Sequence, residues 1–105
     1  MNRIEMHQTI CSQLHELYAA KNSDYGNSFA TVRMEFPNAI LIRLSDKLNR
    51  LKSLLVDENS KEANFESIED TLADIANYAM MELVERQVDA ENAAALGCAA
   101  VTDRE

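Results

Sequence analysis

The stretch Glu66–Tyr78, ESIEDTLADIANY, sets four polar side chains at spacings of four, four and three residues. On a helix this spacing places Glu66, Asp70, Asp74 and Asn77 above one another on a single face. Apolar residues recur between them with a similar period, which predicts a helix with one acidic and one apolar face. The predicted fold and the candidate site both depend on this helix.

A second stretch, Ile42–Leu51, IRLSDKLNRL, carries a mainly cationic face. Helical spacing places Arg43, Asp46, Lys47 and Arg50 within about 100° of one another, at the edge of a leucine stripe. A solvated face with intrahelical ion pairs is one explanation of this pattern. A functional site is the other, because cations facing carboxylates suit a phosphate group and a metal ion.

The composition predicts a single soluble helical domain. Of the 105 residues 47% are apolar, and only two glycines and one proline interrupt the chain. The net charge of −8 disfavours binding to a nucleic acid polymer, because neutralising its phosphates takes a surplus of Lys and Arg. We find no membrane span and no signal sequence, and therefore expect a cytoplasmic protein with no membrane partner and with reduced cysteines.

Apolar periodicity predicts a first long helix over about Asn2–Ala20 and a short helix over Phe29–Phe36. His7 lies on the apolar stripe of the first helix, so we expect it to be a core or interface residue. The short helix is predicted to stop at Pro37, which with Asn38 opens the second long helix.

The second long helix is predicted to run to about Val56, and a polar connection over residues 57–64 follows it. The third long helix then runs to about Leu96, with Gly97 as its stop signal. These bounds predict one helical domain over residues 1–96 and a C-terminal tail over residues 97–105.

Both later helices carry an apolar stripe that predicts a core face. The stripes comprise Ile40, Leu41, Leu44, Leu48, Leu51 and Leu55 on the second helix and Phe65, Ile68, Leu72, Ile75, Ala79 and Leu83 on the third. The acidic stripe lies roughly opposite the latter, and further apolar residues beside it suggest a helix sandwiched between neighbours. We therefore expect an all-α antiparallel bundle of three long helices and one short one, completed by homo-oligomerisation to a dimer or higher, with a site near a subunit boundary.

The segment Lys21–Ser28, KNSDYGNS, interrupts the helical pattern and predicts a turn or loop. One interpretation is a helix C-cap in which Gly26 or Asn22 takes a left-handed conformation. The other is a pocket, in which the Tyr25 ring stacks on a base and Lys21 pairs with a phosphate. The pocket residues are then Lys21, Asp24, Tyr25 and Ser28.

Three pieces of the chain resemble the motifs of a known family. KNSDYGNSF (21–29), IRLSDKLNRLKSL (42–54) and ESIEDTLADIANYA (66–79) are similar to motifs of the nucleotide modification associated domain 1 family, found largely in phages and prophages. The resemblance covers the chain from Lys21 to about Met81. It implies an association with nucleotide metabolism.

The layout is also similar, more weakly, to the all-α nucleoside triphosphate pyrophosphatases of the MazG-like type. In those enzymes acidic ExxE and ExxD pairs on two helices hold Mg²⁺ over the triphosphate. The nearest equivalents here are Asp46 with Asn49 and Asp70 with Asp74. Asn49 offers no carboxylate, so the resemblance supports nucleotide binding more than hydrolysis.

One hypothesis is a Mg²⁺-dependent nucleoside triphosphate pyrophosphohydrolase. Its catalytic residues are expected to be Glu66, Asp70 and Asp74, and the same three with Asp46 are the expected metal ligands. Stabilisation of the phosphate charge is assigned to Arg43, Lys47 and Arg50.

A second hypothesis is a binding protein that holds a small nucleotide without turnover, such as a phage protein that sequesters a host signalling nucleotide. The expected nucleotide-binding residues under either hypothesis are Lys21, Asp24, Tyr25, Arg43, Lys47, Arg50 and Asn77. The third hypothesis is a helical interaction module that binds no ligand.

Overall fold

The computed structural model describes residues 1–25, 27–56 and 65–97, without the side chains of Asp24, Tyr25, Phe65 and Glu66. Within these ranges the chain forms four helices and no strand: α1 Arg3–Tyr25, α2 Ser28–Glu35, α3 Ala39–Val56 and α4 Phe65–Ala95. The predicted all-α fold of three long helices and one short one is confirmed. None of the helices in this part of the chain is long and apolar enough to cross a bilayer. The predicted connection over 57–64, the predicted cap at Gly26 and residues 98–105 of the predicted tail lie outside the described residues.

Helix α1 begins with a reciprocal cap and continues further than predicted. The N–H of Glu5 donates to Asn2 Oδ1 at 2.9 Å, and the N–H of Asn2 donates to Glu5 Oε1 at 3.1 Å. This capping box satisfies two N–H groups that have no partner within the helix. The loop predicted to start at Lys21 is wrong, because α1 runs to Tyr25 and Asn22 is helical. Asn, Ser and Asp reduce helix stability only modestly, so they do not end a helix by themselves.

Pro37 separates α2 from α3, as predicted. Phe36 before it is extended, with φ −129° and ψ 90°, since a proline disfavours helical backbone in the preceding residue. The N–H of Ile42 donates to the carbonyl oxygen of Asn38 at 3.3 Å and so closes the first turn of α3. The predicted stop at Gly97 is also confirmed, because α4 ends at Ala95 and this glycine, two residues further on, has φ +78°.

Helices α3 and α4 pack antiparallel. Lys47 Nζ lies 3.3 Å from Asp74 Oδ2, and Arg43 Cζ lies 5.8 Å from the centre of the Tyr78 ring. A step of four residues back along α3 thus corresponds to a step of four residues forward along α4. This register brings the cationic face of α3 against the polar face of α4.

Helix α1 meets α4 through its C-terminal half. Asn77 Nδ2 on α4 donates to the carbonyl oxygen of Leu14 at 3.3 Å, and Leu14, Tyr18 and Asn22 are partly buried. Residues 1–13 are all exposed, so His7 does not belong to the core of this chain. The alternative expectation, an interface role for His7, remains a prediction.

A partly buried ion pair anchors α2 to α4. Arg33 Nε and Nη2 donate to the two carboxylate oxygens of Glu82 at 2.9 and 3.0 Å, and Arg33 Nη1 donates to Asp89 at 2.9 Å. Glu82 is only 8% exposed and also accepts a hydrogen bond from Arg86 Nε at 2.9 Å. The hydrogen bonds from Arg33 lower the pKa of Glu82, and the same bonds raise the pKa of Arg33.

The chain buries the predicted core faces only in part. Phe29 and Ala39 are the buried hydrophobic residues in the described ranges. Five leucines of the two predicted core stripes are about half exposed or more: Leu41 62%, Leu48 53%, Leu55 62%, Leu72 49% and Leu83 65%. The other described members of these stripes, apart from the exposed Ala79, are partly buried: Ile40, Leu44, Leu51, Ile68 and Ile75. The predicted core face of α4 is therefore correct only in part. Ion pairing and hydrogen bonding draw Asp74 and Asn77 inward, and Leu72 and Leu83 on the opposite face are largely exposed.

We expect Glu82→Gln to lower the free energy of unfolding by about 2 kcal/mol at pH 7, because the variant leaves Arg33 without its buried carboxylate partner. The pKa of Glu82 is lowered in the folded state, so its stabilisation is complete above its ordinary pKa and is lost as the pH falls through the lowered value. The difference between the two proteins in urea denaturation should therefore shrink in acid. Glu91→Gln, an exposed change on the same helix, is the control, and equal losses in the two variants would contradict the anchoring role.

Candidate functional site

A cavity of about 250 Å³ lies where the four helices meet. Its wall combines three cations and one carboxylate with amides, a hydroxyl group, three aromatic rings and a thioether. These residues are Tyr18, Lys21, Asn22, Ser28, Phe29, Arg43, Lys47, Asp74, Asn77, Tyr78 and Met81. The cavity therefore combines charged and polar groups with aromatic rings.

The charged residues that line the cavity are mostly cationic, although the protein as a whole has a net charge of −8. Lys21 comes from the last turns of α1, while Arg43 and Lys47 lie one turn apart on α3. Asp74 on α4 pairs with Lys47, and both side chains are about 30% exposed. Three cations against one carboxylate leave a net positive charge, which attracts an anion.

Among the aromatic residues of the lining, Tyr78 contacts both Phe29 and Arg43. Its ring centre lies 6.1 Å from that of Phe29, with the two rings tilted by 53°, a favourable arrangement for an aromatic pair. Tyr78 also contacts Arg43, whose Cζ lies 5.8 Å from the centre of the Tyr78 ring, within the range of a cation–π interaction. Tyr78 thus links α2 to α3 and restricts the guanidinium of Arg43 at the cavity.

Asn77 connects the cavity to α1. Its amide nitrogen donates to the carbonyl oxygen of Leu14, which fixes the orientation of the amide. Among the described residues the amide oxygen and one N–H have no further partner, because an asparagine side chain has two donors and one acceptor atom and one donor is used here. Asn77 therefore both positions α1 and offers a hydrogen-bonding group to a bound molecule.

The structure brings five of the predicted site residues together at the cavity: Lys21, Arg43, Lys47, Asp74 and Asn77. Three others are exposed and lie outside the described lining: Asp46, Arg50 and Asp70. The side chains of Asp24, Tyr25 and Glu66 are outside the described residues. Of the two interpretations of the segment after Ala20, the pocket agrees with Lys21 and Ser28, both of which line the cavity.

The predicted magnesium site rests on Asp46, Glu66, Asp70 and Asp74. Among the residues that the structure describes, no group of three or more His, Cys, Asp or Glu side chains is placed to hold a metal ion. Glu66 is a member of the predicted set whose side chain is not described, so the set remains a prediction. In the described lining the one carboxylate is Asp74, and it forms an ion pair with Lys47.

Sequence reasoning assigned no role in the site to several lining residues: Tyr18, Asn22, Phe29, Tyr78 and Met81. For Tyr78 a signal was present, because it lies four residues after Asp74 and so on the same face of the helix. The sequence places Phe29 only at the start of the predicted short helix. Nothing in the sequence pattern places α2 beside α4, and this packing is what brings Phe29 to Tyr78.

Fold and site together define an all-α protein with a cationic cavity walled by aromatic rings. Residues 21–85 match the family model described as Nucleotide modification associated domain 1. The match spans more than half of the 105 residues, and the chain belongs to this family. No curated protein and no solved structure matches the chain. Of the lining residues, only Tyr18 precedes the matched range.

We expect Phe29→Ala to lower the free energy of unfolding by about 3 kcal/mol, because it empties a buried aromatic position. It should also weaken the near-ultraviolet circular dichroism of the tyrosines, since the Tyr78 ring loses its neighbour. Phe36→Ala is the matched control, because Phe36 is 57% exposed and lies just beyond the end of the same helix. Urea denaturation compares the two variants, and a similar cost for both would contradict the role of Phe29 as the anchor of the cavity wall.

Proposed function

We propose that the cavity binds the phosphate group and the base of a small nucleotide. The observation that carries the proposal is the convergence of Lys21, Arg43 and Lys47 beside the ring of Tyr78. Lysine and arginine are the usual partners of phosphate groups, and aromatic rings stack on bases of any kind. Membership of the nucleotide modification associated domain 1 family supports a nucleotide as the class of ligand.

The two α3 cations have different parts in this proposal. The guanidinium of Arg43 lies over Tyr78, so it loses little freedom when its donors pair with two phosphate oxygens. The ammonium of Lys47 is held by Asp74 and exchanges this carboxylate for the phosphate, or is shared between them. Lys21 on α1 also lines the cavity and supplies the third positive charge for the phosphate.

The size of the cavity supports a single nucleotide rather than a polymer. Its volume of about 250 Å³ is close to the lower end of the range of about 300–1,000 Å³ for small-molecule sites. Such a volume holds part of a nucleotide, with the remainder at the open edge. Nucleotide pools are cytoplasmic, and the proposal places the protein in that compartment.

We expect Arg43→Ala and Lys47→Ala each to weaken nucleotide binding at least tenfold, because each removes a charge-assisted contact to phosphate. The ligand is first found by thermal shift over nucleoside mono- and triphosphates, deoxynucleotides and cyclic nucleotides, each with and without Mg²⁺. Calorimetric titration then gives the affinities of the variants. Arg3→Ala, at the exposed start of α1, is the charge-matched control and should bind normally.

Arg50→Ala serves as an internal comparison, because Arg50 is exposed one turn beyond Lys47. A loss as large as that of Lys47→Ala would extend the site along α3. The absence of a thermal shift with every nucleotide, or unchanged affinity in both Arg43→Ala and Lys47→Ala, would contradict the proposal and favour an interaction module without a ligand.

A second candidate function is Mg²⁺-dependent pyrophosphohydrolysis of a nucleoside triphosphate. The specific observation in its favour is Asp74 in the cavity beside three cations, with Asp70 one turn before it on α4. Mg²⁺ commonly uses one or two carboxylates together with substrate phosphates, and Asp74 with Asp70 would hold it here. The ion would neutralise part of the phosphate charge, and Arg43 and Lys47 would neutralise more of it.

If the protein does not turn its nucleotide over, the same cavity sequesters it, as suits a phage protein that opposes host nucleotide signalling.

Asp74→Asn separates these two functions, because it should preserve nucleotide binding by a sequestering protein and should abolish most turnover by an enzyme. In a sequestering protein the variant frees Lys47 from its carboxylate partner, so affinity for the nucleotide is maintained or rises severalfold. In an enzyme the variant loses a ligand of Mg²⁺ and pyrophosphate release falls at least a hundredfold, as it also does in EDTA. Titration and a pyrophosphate-release assay give the two readouts, and Glu91→Gln controls for the change in net charge.

A further inference from the structure

A second cavity of about 30 Å³, which we call the small cavity, adjoins the cationic one. The two cavities have four lining residues in common: Tyr18, Asn22, Phe29 and Met81. A molecule that lies against these side chains in the cationic cavity therefore has one edge next to the small cavity. The further polar groups that line the small cavity are the carboxylate of Glu85 and the amide of Asn27.

Helix α4 connects the two cavities along one face. Four of its lining residues follow one another at spacings of four, three and four and so lie in one line: Asp74, Tyr78, Met81 and Glu85. At about 1.5 Å per residue, Glu85 is roughly 10–17 Å further along the axis than the level of Tyr78 and Asp74, where Arg43 and Lys47 make their contacts. The long side chains at both ends shorten this span. It then matches the length of one nucleotide from its phosphate groups to the far edge of its base.

Glu85 differs from Asp74 in its surroundings. Asp74 pairs with Lys47, whereas Glu85 takes part in none of the ion pairs among the described residues. No Lys or Arg belongs to the described lining of the small cavity. Glu85 is nevertheless partly buried, and a carboxylate in such a position normally pairs with a cation or accepts hydrogen bonds. Its two oxygens are therefore suited to accept N–H donors of a ligand, and their charge repels the phosphate groups of that ligand.

We propose that Glu85 recognises a guanine base, an inference that rests on the phosphate site proposed above. Guanine presents N1–H and N2–H side by side on its Watson–Crick edge, and these two donors match the two oxygens of one carboxylate. An amide N–H of Asn22 or Asn27 donates to the neighbouring O6. The cations at one end and the carboxylate at the other also fix the direction in which the nucleotide lies.

The same carboxylate disfavours the other bases. Uracil and thymine have a carbonyl oxygen on each side of N3–H, so one of these oxygens meets a carboxylate oxygen. Adenine and cytosine have an amino group beside an acceptor nitrogen, so one hydrogen bond is replaced by repulsion. Hypoxanthine lacks only the N2 amino group of guanine, and it therefore isolates the second hydrogen bond to Glu85.

The first test varies the base of the ligand. Calorimetric titration with GTP, ITP, ATP and UTP gives the affinity for guanine, hypoxanthine, adenine and uracil, and EDTA in the buffer prevents Mg²⁺-dependent turnover. We expect GTP to bind at least tenfold more tightly than ITP, because ITP leaves one oxygen of Glu85 without its donor. ATP and UTP should bind more weakly than GTP for the reasons given above.

The second test is Glu85→Gln, which keeps the shape of the side chain and replaces one acceptor with a donor. The new N–H meets the N2 amino group of guanine, so affinity for GTP should fall at least tenfold and the ratio of GTP to ITP affinity should fall to about one. Affinity for ATP should be maintained or rise, since adenine offers one donor and one acceptor to the amide. Glu91→Gln, an exposed change on the same helix, is the control and should keep the original ratio. Circular dichroism checks that both variants keep their helices.

Failure of this assignment can be distinguished from failure of the phosphate site. Equal affinities for the four nucleotides, or a ratio of GTP to ITP affinity that Glu85→Gln leaves unchanged, would overturn the role of Glu85. The phosphate site would still stand if Arg43→Ala and Lys47→Ala weaken the binding of all four. Binding of none of the four would also overturn the guanine assignment, and the thermal-shift screen of other nucleotides would then decide whether the phosphate site stands.

Discussion

Helix α4 carries the contacts that position the other three helices, and these contacts come from its polar side chains. Its polar face receives Lys47 of α3, the carbonyl of Leu14 on α1 and Arg33 of α2. On the face opposite Asp74, Leu72 and Leu83 are 49% and 65% exposed. The position of every other helix follows from contacts with this polar face, and so does the cavity.

Charged contacts do much of the positioning because the buried apolar core is small. The Arg33–Glu82 pair holds α2 on α4, and α2 in turn brings Ser28 and Phe29 to the cavity. A partly buried ion pair gives less net stability than an apolar contact of the same size, since both ions lose water. Its geometry is strict, however, because both nitrogens of the guanidinium fork must meet both carboxylate oxygens. The pair therefore defines one position for a short helix that has few other constraints.

The helices and their ends could be predicted from sequence wherever a local interaction decides them. Pro37 and Gly97 end or separate helices through their own backbone preferences, and both predictions hold. The segment after Ala20 was predicted wrongly, because weak helix formers were treated as a helix end although no strongly disfavoured residue occurs before Gly26. The apolar stripes were predicted as such, but periodicity alone cannot tell whether a stripe faces its own chain or a neighbouring one.

The candidate site was predictable to the extent that it lies on single helices. Arg43, Lys47, Asp74 and Asn77 follow from spacing along α3 and α4, and the antiparallel register brings them to one cavity. The Phe29–Tyr78 pair was not predictable in this way, because it depends on how α2 packs on α4. Local periodicity carries no information about contacts between helices that are far apart in the chain.

The cationic cavity also has an energetic consequence for the fold. Lys21, Arg43 and Lys47 repel one another, and the single carboxylate of Asp74 offsets this repulsion only in part. A fold selected for stability alone would separate these cations or pair each with a carboxylate, which a chain with 18 acidic residues has in abundance. Conflicts of this kind between charge and stability are typical of functional sites. An anion bound at the cavity would remove the conflict, so the proposed ligand would also stabilise the fold.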